Sequence, residues 1–226
     1  MSIETFADGD LLADLPPEQR AALARRISVA EYPVEHIFFA PDDPGDRVYL
    51  LQRGRVRLYK LSPEGRALTL MVLEPPAIFG EMALAEPSEH DSFAEAMTDC
   101  VVGTLGRESL QQVLRANPAI SLRLMGVVSR RLRAMERKLA DIAFKSVPQR
   151  LATVLLGLVD ERGSVGRGEA PAVVRYTHQQ LAEMIGSYRE TVTKVIGEFR
   201  EAGLIRVEED AIHLTDIGRL RQIVER

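Results

Sequence analysis

The chain has a single cysteine, Cys100, and no tryptophan among 226 residues, and aromatic residues make up only 5%. One thiol excludes a disulfide framework, a cysteine-ligated zinc site and a four-cysteine iron–sulfur cluster. Cys100 is read as a buried strand thiol; a redox role would require a lowered pKa that no local sequence establishes. The four histidines, His36, His90, His178 and His213, are scattered without ligand spacing, so no histidine metal site is expected, although a haem held by one histidine stays open. Long apolar runs are also missing. The longest uncharged apolar block, Leu151 to Val159, is half of the ~18 residues that a membrane span needs. The opening MSIETFADGD is acidic and does not read as a signal peptide. There is no nucleophile motif, catalytic carboxylate pair or HExxH, so no enzyme is expected. With 46% hydrophobic and 27% charged residues, the composition is that of a globular chain, expected in the cytoplasm and without a required cofactor.

The net charge of −4 hides a gradient. Residues 1–115 carry 11 Lys and Arg against 19 Asp and Glu; residues 116–144 carry 6 against 2; residues 145–226 carry 12 against 12. An acidic first half argues against nucleic acid there, so any contact with DNA has to come from a local patch further along.

The first half reads as β. Short apolar or alternating runs at Ile37–Ala40, Arg47–Gln52, Arg55–Leu61, Ala67–Leu73 and Cys100–Leu105 are separated by turns rich in Pro, Gly and Asp. Many short strands suggest a sandwich, roll or barrel. After Asn117-Pro118 the period changes: Ile120, Leu124, Val128, Leu132, Met135, Leu139 and Ile142 form one stripe on a helix of about seven turns. The other face holds Arg123, Arg130, Arg133, Arg137, Lys138 and Asp141. A long helix with a narrow stripe pairs with another helix, and a second copy of this chain is the natural partner. Leu124, Val128, Leu132, Met135, Leu139 and Ile142 are the expected dimer contacts. Gln149–Asp160 reads as a further helix, and 161–169 as a glycine-rich loop without the strand–helix context of a phosphate cradle.

The most informative stretch follows Tyr176. Thr177 with Gln180, and Ser187 with Glu190, fit two capping boxes, each of which starts a helix. Gly186 between them suits the left-handed end of the first helix. Leu181, Ile185, Val192, Val195 and Ile196 give the pair an apolar seam, and Ala182 is small where the helices approach. Two short helices joined by a tight glycine turn make a helix-turn-helix, whose second helix enters the major groove by its N-terminal end. Arg189, Glu190, Thr193 and Lys194 then face the bases: Arg suits guanine O6 and N7, Glu accepts from cytosine N4, and Lys donates to guanine or phosphate. The bland alternative is a helical hairpin with a solvated face. Leu204–Val207 and Ala211–Leu214, around an acidic turn, read as a β-hairpin wing.

Ile185-Gly186-Ser187 followed by Arg189-Glu190-Thr191-Val192 resembles the recognition helix of the cAMP receptor protein/FNR (CRP/FNR) family of bacterial transcription regulators. Phe79-Gly80-Glu81-Met82-Ala83-Leu84 resembles that family's phosphate-binding cassette, and Arg130-Arg131-Leu132 with Ala143-Phe144 its dimer helix and hinge. The likeness runs over nearly the whole chain, in order. It implies an α+β chain with a cyclic-nucleotide-binding-like β-roll (1–116), a dimerisation helix (117–144) and a winged helix-turn-helix (145–226). It also implies a homodimer on double-stranded DNA of TGTGA-like palindromic sequence, with Thr177, Gln179, Ser187, Arg189, Glu190, Thr193 and Lys194 at the interface. RNA polymerase enters as a further partner through 161–172; no membrane partner is implied.

The sequence departs from the family at the effector site. The resemblance places the pocket at Gly80, Glu81, Met82, Ala83, His90, Asp91, Met135 and Glu136. The Arg and the Ser or Thr that hold a cyclic phosphate in the family fall here on His90 and Asp91. The pair that reads adenine falls on Met135 and Glu136. The guanidinium fork suited to a phosphate is gone and a negative charge stands beside it; a protonated His90 would be the remaining route. The effector is left open, and cyclic AMP is not favoured. The rival reading is a ligand-binding regulatory module that no longer binds DNA.

Overall fold

A computed structural model describes residues 5–6, 17–84, 89–160, 172–174, 176–209 and 211–225. The loop expected at 161–169, and all of the expected polymerase-facing stretch up to residue 171, lie outside the described residues. The described residues divide into two compact units, one made of those within 6–60 and 72–133, the other of Thr5 and those within 61–71 and 134–226.

In chain order the elements are β1 (Thr5–Phe6), α1 (Pro17–Ala24), β2 (Ser28–Tyr32), β3 (Ile37–Phe39), β4 (Arg47–Arg53), β5 (Val56–Leu61), β6 (Ala67–Leu73) and β7 (Ala77–Phe79). A 3-10 turn at Glu81–Leu84 follows, then β8 (Phe93–Ala96), β9 (Cys100–Gly106), α2 (Arg107–Ala116) and α3 (Pro118–Phe144). The rest is α4 (Val147–Asp160), β10 (Ala172–Val174), α5 (His178–Ile185), α6 (Arg189–Glu201), β11 (Ile205–Val207), β12 (Ala211–Leu214) and α7 (Ile217–Glu225). The strands make a five-stranded sheet in the order β1-β6-β5-β8-β3, a four-stranded sheet β2-β9-β4-β7 and a three-stranded sheet β10-β12-β11.

Alternation explains the strands that the sequence reveals. In β5, Val56 and Leu58 point inward. The intervening Arg57 is not a wet residue: its guanidinium pairs with Glu95 on β8 at 3.0 Å, both largely covered, and lies over the Tyr59 ring. The β2, β7 and β8 strands carry weaker signals. β2 (SVAEY) is mostly exposed and pairs only through β9, β7 is three buried residues, and β8 (FAEA) buries only alanines. Beneath β4 and β9, Leu23, Val48, Leu105 and Leu110 pack with Ile120, Leu124 and Val127 from α3.

The long helix therefore carries two stripes rather than one. Ile120, Leu124, Val127, Arg131, Ala134 and Lys138 are buried, at steps of four, three, four, three and four. Met125, Val128, Leu132, Leu139 and Ile142 stay exposed, Leu132 at 59% and Leu139 at 70%; half-buried Met135 completes that second stripe. Two expectations need correction. Leu124 lies on the inward stripe, 5% exposed in the core of its own chain. Lys138, placed by its charge on the wet face, is 5% exposed. Charge gives no warning of such burial, because the ammonium finds carbonyl partners contributed by distant chain segments.

Candidate nucleic-acid interface and effector pocket

The helix-turn-helix is built by local chemistry. Thr177 caps α5 with both halves of a capping box: its hydroxyl accepts from the Gln180 N–H at 3.1 Å, and its own N–H donates to Gln180 Oε1 at 2.9 Å. Gly186 ends the helix in the left-handed conformation (φ 63°, ψ 49°), where a side chain would be strained. Leu181, Ala182 and Ile185 on α5, with Val192, Val195 and Ile196 on α6, are buried as the seam requires. Phe199 and Met184 join them.

The second expected capping box is absent. The residue that caps α6 is Tyr188, not Ser187, and its side chain makes no cap hydrogen bond. The turn is closed instead by the Ser187 N–H donating back to the Ala182 carbonyl at 2.9 Å, a backbone bond that pattern matching cannot see.

The residues singled out for base contact fall into two groups. Arg189, Glu190 and Lys194 are exposed on the leading half of α6, with Lys194 in a loose 3.8 Å pair with Glu198. Thr193 is exposed too, but its hydroxyl is engaged: it donates to the Arg189 carbonyl at 2.9 Å and lies 2.9 Å from His178 Nδ1. With the hydroxyl proton committed, His178 Nδ1–H is the donor of that second bond. His178 and Thr193 thus tie α5 to α6, a role the sequence did not announce. Gln179 and Thr177 are exposed at the start of α5; the Gln179 amide donates to Glu183 Oε1 at 2.8 Å. Ser187 is half-buried in the turn. β11 and β12 form the expected antiparallel hairpin, Ile205 opposite Leu214 and Val207 opposite Ile212, and β10 extends it.

At the cassette, Gly80 has φ +78°, and a Cβ there would come within 2.9 Å of the Arg47 carbonyl and the Tyr49 ring. Glycine is therefore demanded by the backbone itself. Glu81 opens the 3-10 turn, followed by half-buried Met82 and fully buried Ala83. Glu81 accepts from Arg131 Nη1 at 3.1 Å, and the same guanidinium donates to the Ile78 carbonyl. Arg131 is 4% exposed, a buried charged group that ties the helix to the cassette by charge-assisted bonds. Sequence reading gave it only a place in the Arg130-Arg131-Leu132 run on the helix; nothing in that run sets the buried arginine apart from its exposed neighbour Arg130.

His90 is 4% exposed, and its ring stacks on Phe39 at 3.6 Å between centroids, inclined by 6°. Burial pushes its pKa below the ordinary histidine value, against the pull of Glu81, Asp43, Asp46 and Asp91. The protonated His90 considered as a substitute for arginine is thus disfavoured by its surroundings. Asp91 is exposed and pairs with Lys60 at 3.1 Å. On α3, Met135 is half-buried and Glu136 exposed. Cys100 is buried, its thiol donating to the Thr98 and Arg55 carbonyls, and burial raises its pKa, the condition of an inert thiol. Among the described residues, no group of three or more His, Cys, Asp or Glu could hold a metal ion. No described helix is long and apolar enough to cross a membrane.

Comparison with known proteins agrees with this architecture. Residues 29–117 match the cyclic nucleotide-binding domain model, and residues 149–223 the Crp-like helix-turn-helix domain model. The chain is 32% identical over 217 residues to a CRP-like cAMP-activated global transcriptional regulator of Mycobacterium tuberculosis, covering 96% of this chain and 97% of the relative. It is 36% identical over 182 residues to the transcriptional regulator SdrP of Thermus thermophilus, covering 80% and 86%. A solved structure of a CooA mutant from Carboxydothermus hydrogenoformans shares the fold, with a TM-score of 0.82 and 23% identity over 99% of both chains. A cyclic-nucleotide-binding-type sheet domain, a long helix and a Crp-like helix-turn-helix in one chain, with full-length relatives that are transcription regulators, place this protein in the CRP/FNR family of DNA-binding transcription regulators.

Proposed function

We propose that the chain acts in the cytoplasm as a homodimer that reads a TGTGA-like palindrome through α6 and responds to cyclic AMP weakly or not at all. The observation that carries the DNA reading is α6 itself. Its N-terminal half leaves Arg189, Glu190 and Lys194 exposed, while a capped α5 and a left-handed Gly186 hold it on an apolar seam. Arg189 and Lys194 suit guanines, and Glu190 a cytosine. Thr177, Gln179, Ser187 and Thr193 flank this face, the last through its backbone-tied hydroxyl.

The exposed stripe of α3 supports the dimer. Met125, Val128, Leu132, Met135, Leu139 and Ile142 recur at an average of about 3.5 residues, the repeat of a two-helix seam. A symmetric pair would set two recognition helices on half-sites about 34 Å apart.

The effector reading rests on the cassette. The M. tuberculosis relative is named as cAMP-activated, but here the positions matching the family's phosphate contacts hold a buried histidine kept neutral and an aspartate. Gly80, Glu81, Met82 and Ala83 keep the backbone of the cassette, while Met135 and Glu136 offer no hydroxyl to a base. No cofactor is required for folding in this reading. RNA polymerase is a partner through 161–172.

Binding-site selection with wild type, Arg189→Ala and Lys194→Arg tests the reading. Arg189→Ala is expected to cost ~1–3 kcal/mol on the matched site and to relax one base position. Lys194→Arg replaces a flexible point charge by a planar fork and is expected to sharpen selectivity more than it strengthens binding to random DNA. Identical motifs with identical base weights from all three proteins would refute base reading by α6.

A further inference from the structure

Arg66 is far from α6 in sequence and meets it in the fold. It lies on the turn between β5 and β6, within residues 61–71, which belong to the same compact unit as residues 134–226. Its Nη1 donates to the Tyr188 hydroxyl at 2.9 Å, and its guanidinium carbon lies 4.0 Å from the centre of the Tyr188 ring. Tyr188 is the cap residue of α6 and precedes Arg189, the first side chain read here as facing the bases. Arg66 and Tyr188 are both exposed. The pair therefore stands on the surface, at the end of the helix that enters a major groove.

Both partners are held from behind. The Ser62 N–H donates to the Arg66 carbonyl at 2.8 Å, and the Arg66 N–H to the Ser62 hydroxyl at 3.2 Å. Leu68 lies against Gly186, 3.3 Å from where a Cβ would stand. The Lys138 ammonium donates to the Thr69 carbonyl at 2.6 Å and to the Met184 carbonyl at 2.8 Å. The backbone beneath Arg66 is thus fixed relative to the backbone beneath Tyr188. With the turn seated in this way, Arg189, Glu190 and Lys194 remain exposed, so it does not cover the reading face of α6.

Stacking on a ring fixes the plane of a guanidinium and leaves its edge donors available. Nη1 is engaged by Tyr188; among the described residues, Nε and Nη2 have no hydrogen-bond acceptor. A fixed planar fork with donors to spare suits a phosphate oxygen pair, and the walls of a groove are lined by phosphates. We propose that Arg66 is a DNA-backbone contact: the turn after β5 delivers a guanidinium, positioned by Tyr188, to a phosphate at the rim of the groove that α6 enters. The proposal rests on the reading of α6 as the recognition helix. Such a contact adds affinity and fixes orientation without reading sequence. The acidic excess of residues 1–115 conceals it, because charge summed over a segment does not tell which cation the fold brings beside α6. Glu64, on the same turn, opposes it: a hydrogen bond from Ser62 holds its carboxyl below the usual range, so its negative charge offsets part of the attraction of Arg66 for phosphate.

Fluorescence anisotropy of the full chain, on the duplex selected by wild type and on a random duplex over a series of salt concentrations, tests the contact. Arg66→Gln removes the charge and keeps a polar side chain on an exposed turn. It is expected to bind both duplexes about fivefold more weakly for each bound protomer, with the slope of log Kd against log salt reduced by about 0.9 per protomer. Binding-site selection with this variant is expected to return the wild-type base weights. Arg66→Lys keeps the charge and is expected to restore the slope, which a purely structural role would not predict. Ethylation interference locates the contact, as a phosphate whose ethylation blocks wild type and is tolerated by Arg66→Gln. Unchanged affinity and slope, or tighter binding, overturn the proposal. Weaker binding by Arg66→Gln with an unaltered set of interfering phosphates overturns it too, and makes Arg66 a support of the helix-turn-helix alone. The two readings fail separately. If Arg189→Ala returns wild-type base weights while Arg66→Gln loses its phosphate, base reading by α6 fails and the backbone contact stands; the reverse result removes the contact alone.

Discussion

Lys138 shows most sharply how a single side chain takes its properties from the fold. Burial draws its pKa from the ordinary lysine value of 10.5 down to about 8, with Asp141 pulling the other way. Asp141 itself pairs with Lys145 at 3.0 Å, and Arg150 donates to the neighbouring Ile185 carbonyl, so no carboxylate is given over wholly to Lys138. Below about pH 8 folded and unfolded chains both hold the proton, and the native state carries the full cost of a buried charge, about 3 kcal/mol for this shift. Between about pH 8 and 10.5 the unfolded state binds more protons, so stability rises with pH through that window. Denaturant titrations at pH 7.5 and pH 10 are therefore expected to show wild type gaining on the order of 2 kcal/mol relative to Lys138→Met. A stability difference independent of pH would mean that Lys138 is no harder to protonate than a surface lysine. His90 and Cys100 teach the same lesson in milder form, for in both burial moves the pKa toward the neutral state.

At the scale of elements, the long helix is the clearest case of a right period with an incomplete partition. An apolar step of three and four was legible in the sequence and gives a helix over 118–144. It did not reveal that two parallel stripes share that helix, because Leu124 and Val128 are equally apolar in sequence and only the fold turns one of them inward. The dimer prediction rests on the outward stripe. Leu132→Asp or Leu139→Asp is expected to yield monomers in analytical ultracentrifugation, since each would place a charge without a partner into an apolar seam. Both residues are exposed in the single chain, so the fold of each protomer should survive, with an unchanged far-ultraviolet circular dichroism spectrum. Dimers of undiminished stability would show that a different surface joins the copies. The two helix starts of the helix-turn-helix make a similar contrast. Thr177 and Gln180 meet as their spacing requires, whereas Ser187 and Glu190 have the same spacing and do not, because the backbone leaves the turn one residue later, at Tyr188.

The molecule as a whole joins a cyclic-nucleotide-binding-type sheet domain to a Crp-like helix-turn-helix, and the proposed effector reading is tested on the first of these. Isothermal calorimetry of the purified protein with cyclic AMP is expected to show weak or no binding, and His90→Arg with Asp91→Ser to raise the affinity by restoring a fork and a hydroxyl for the phosphate. Removal of His90 also opens the space stacked on Phe39, so the double variant is the informative one. Low-micromolar binding by wild type would refute the effector reading. DNA binding is expected to weaken steeply with salt even though the chain is acidic overall, since phosphate contacts release counterions whatever the net charge elsewhere.

Local grammar was enough to determine a good part of this protein. The inward-facing Val56 and Leu58 of β5, the capping box at Thr177, the left-handed glycine at 186 and the helical period after Asn117 each depend on residues within one or two turns of one another, and each appears in the structure. Gly80 belongs here as well, because its φ leaves little choice of residue. Tertiary structure alone decided which charged groups are buried and against what. The partners of Arg131 lie 50 and 53 positions away in the chain, those of Lys138 46 and 69 away, and Arg66 meets Tyr188 across 122 positions. No periodicity links residues so far apart. They meet because strands and helices satisfy their own backbone hydrogen bonds locally and then pack on their apolar faces, and the long cationic side chains reach whichever carbonyl or carboxylate that packing leaves within their length.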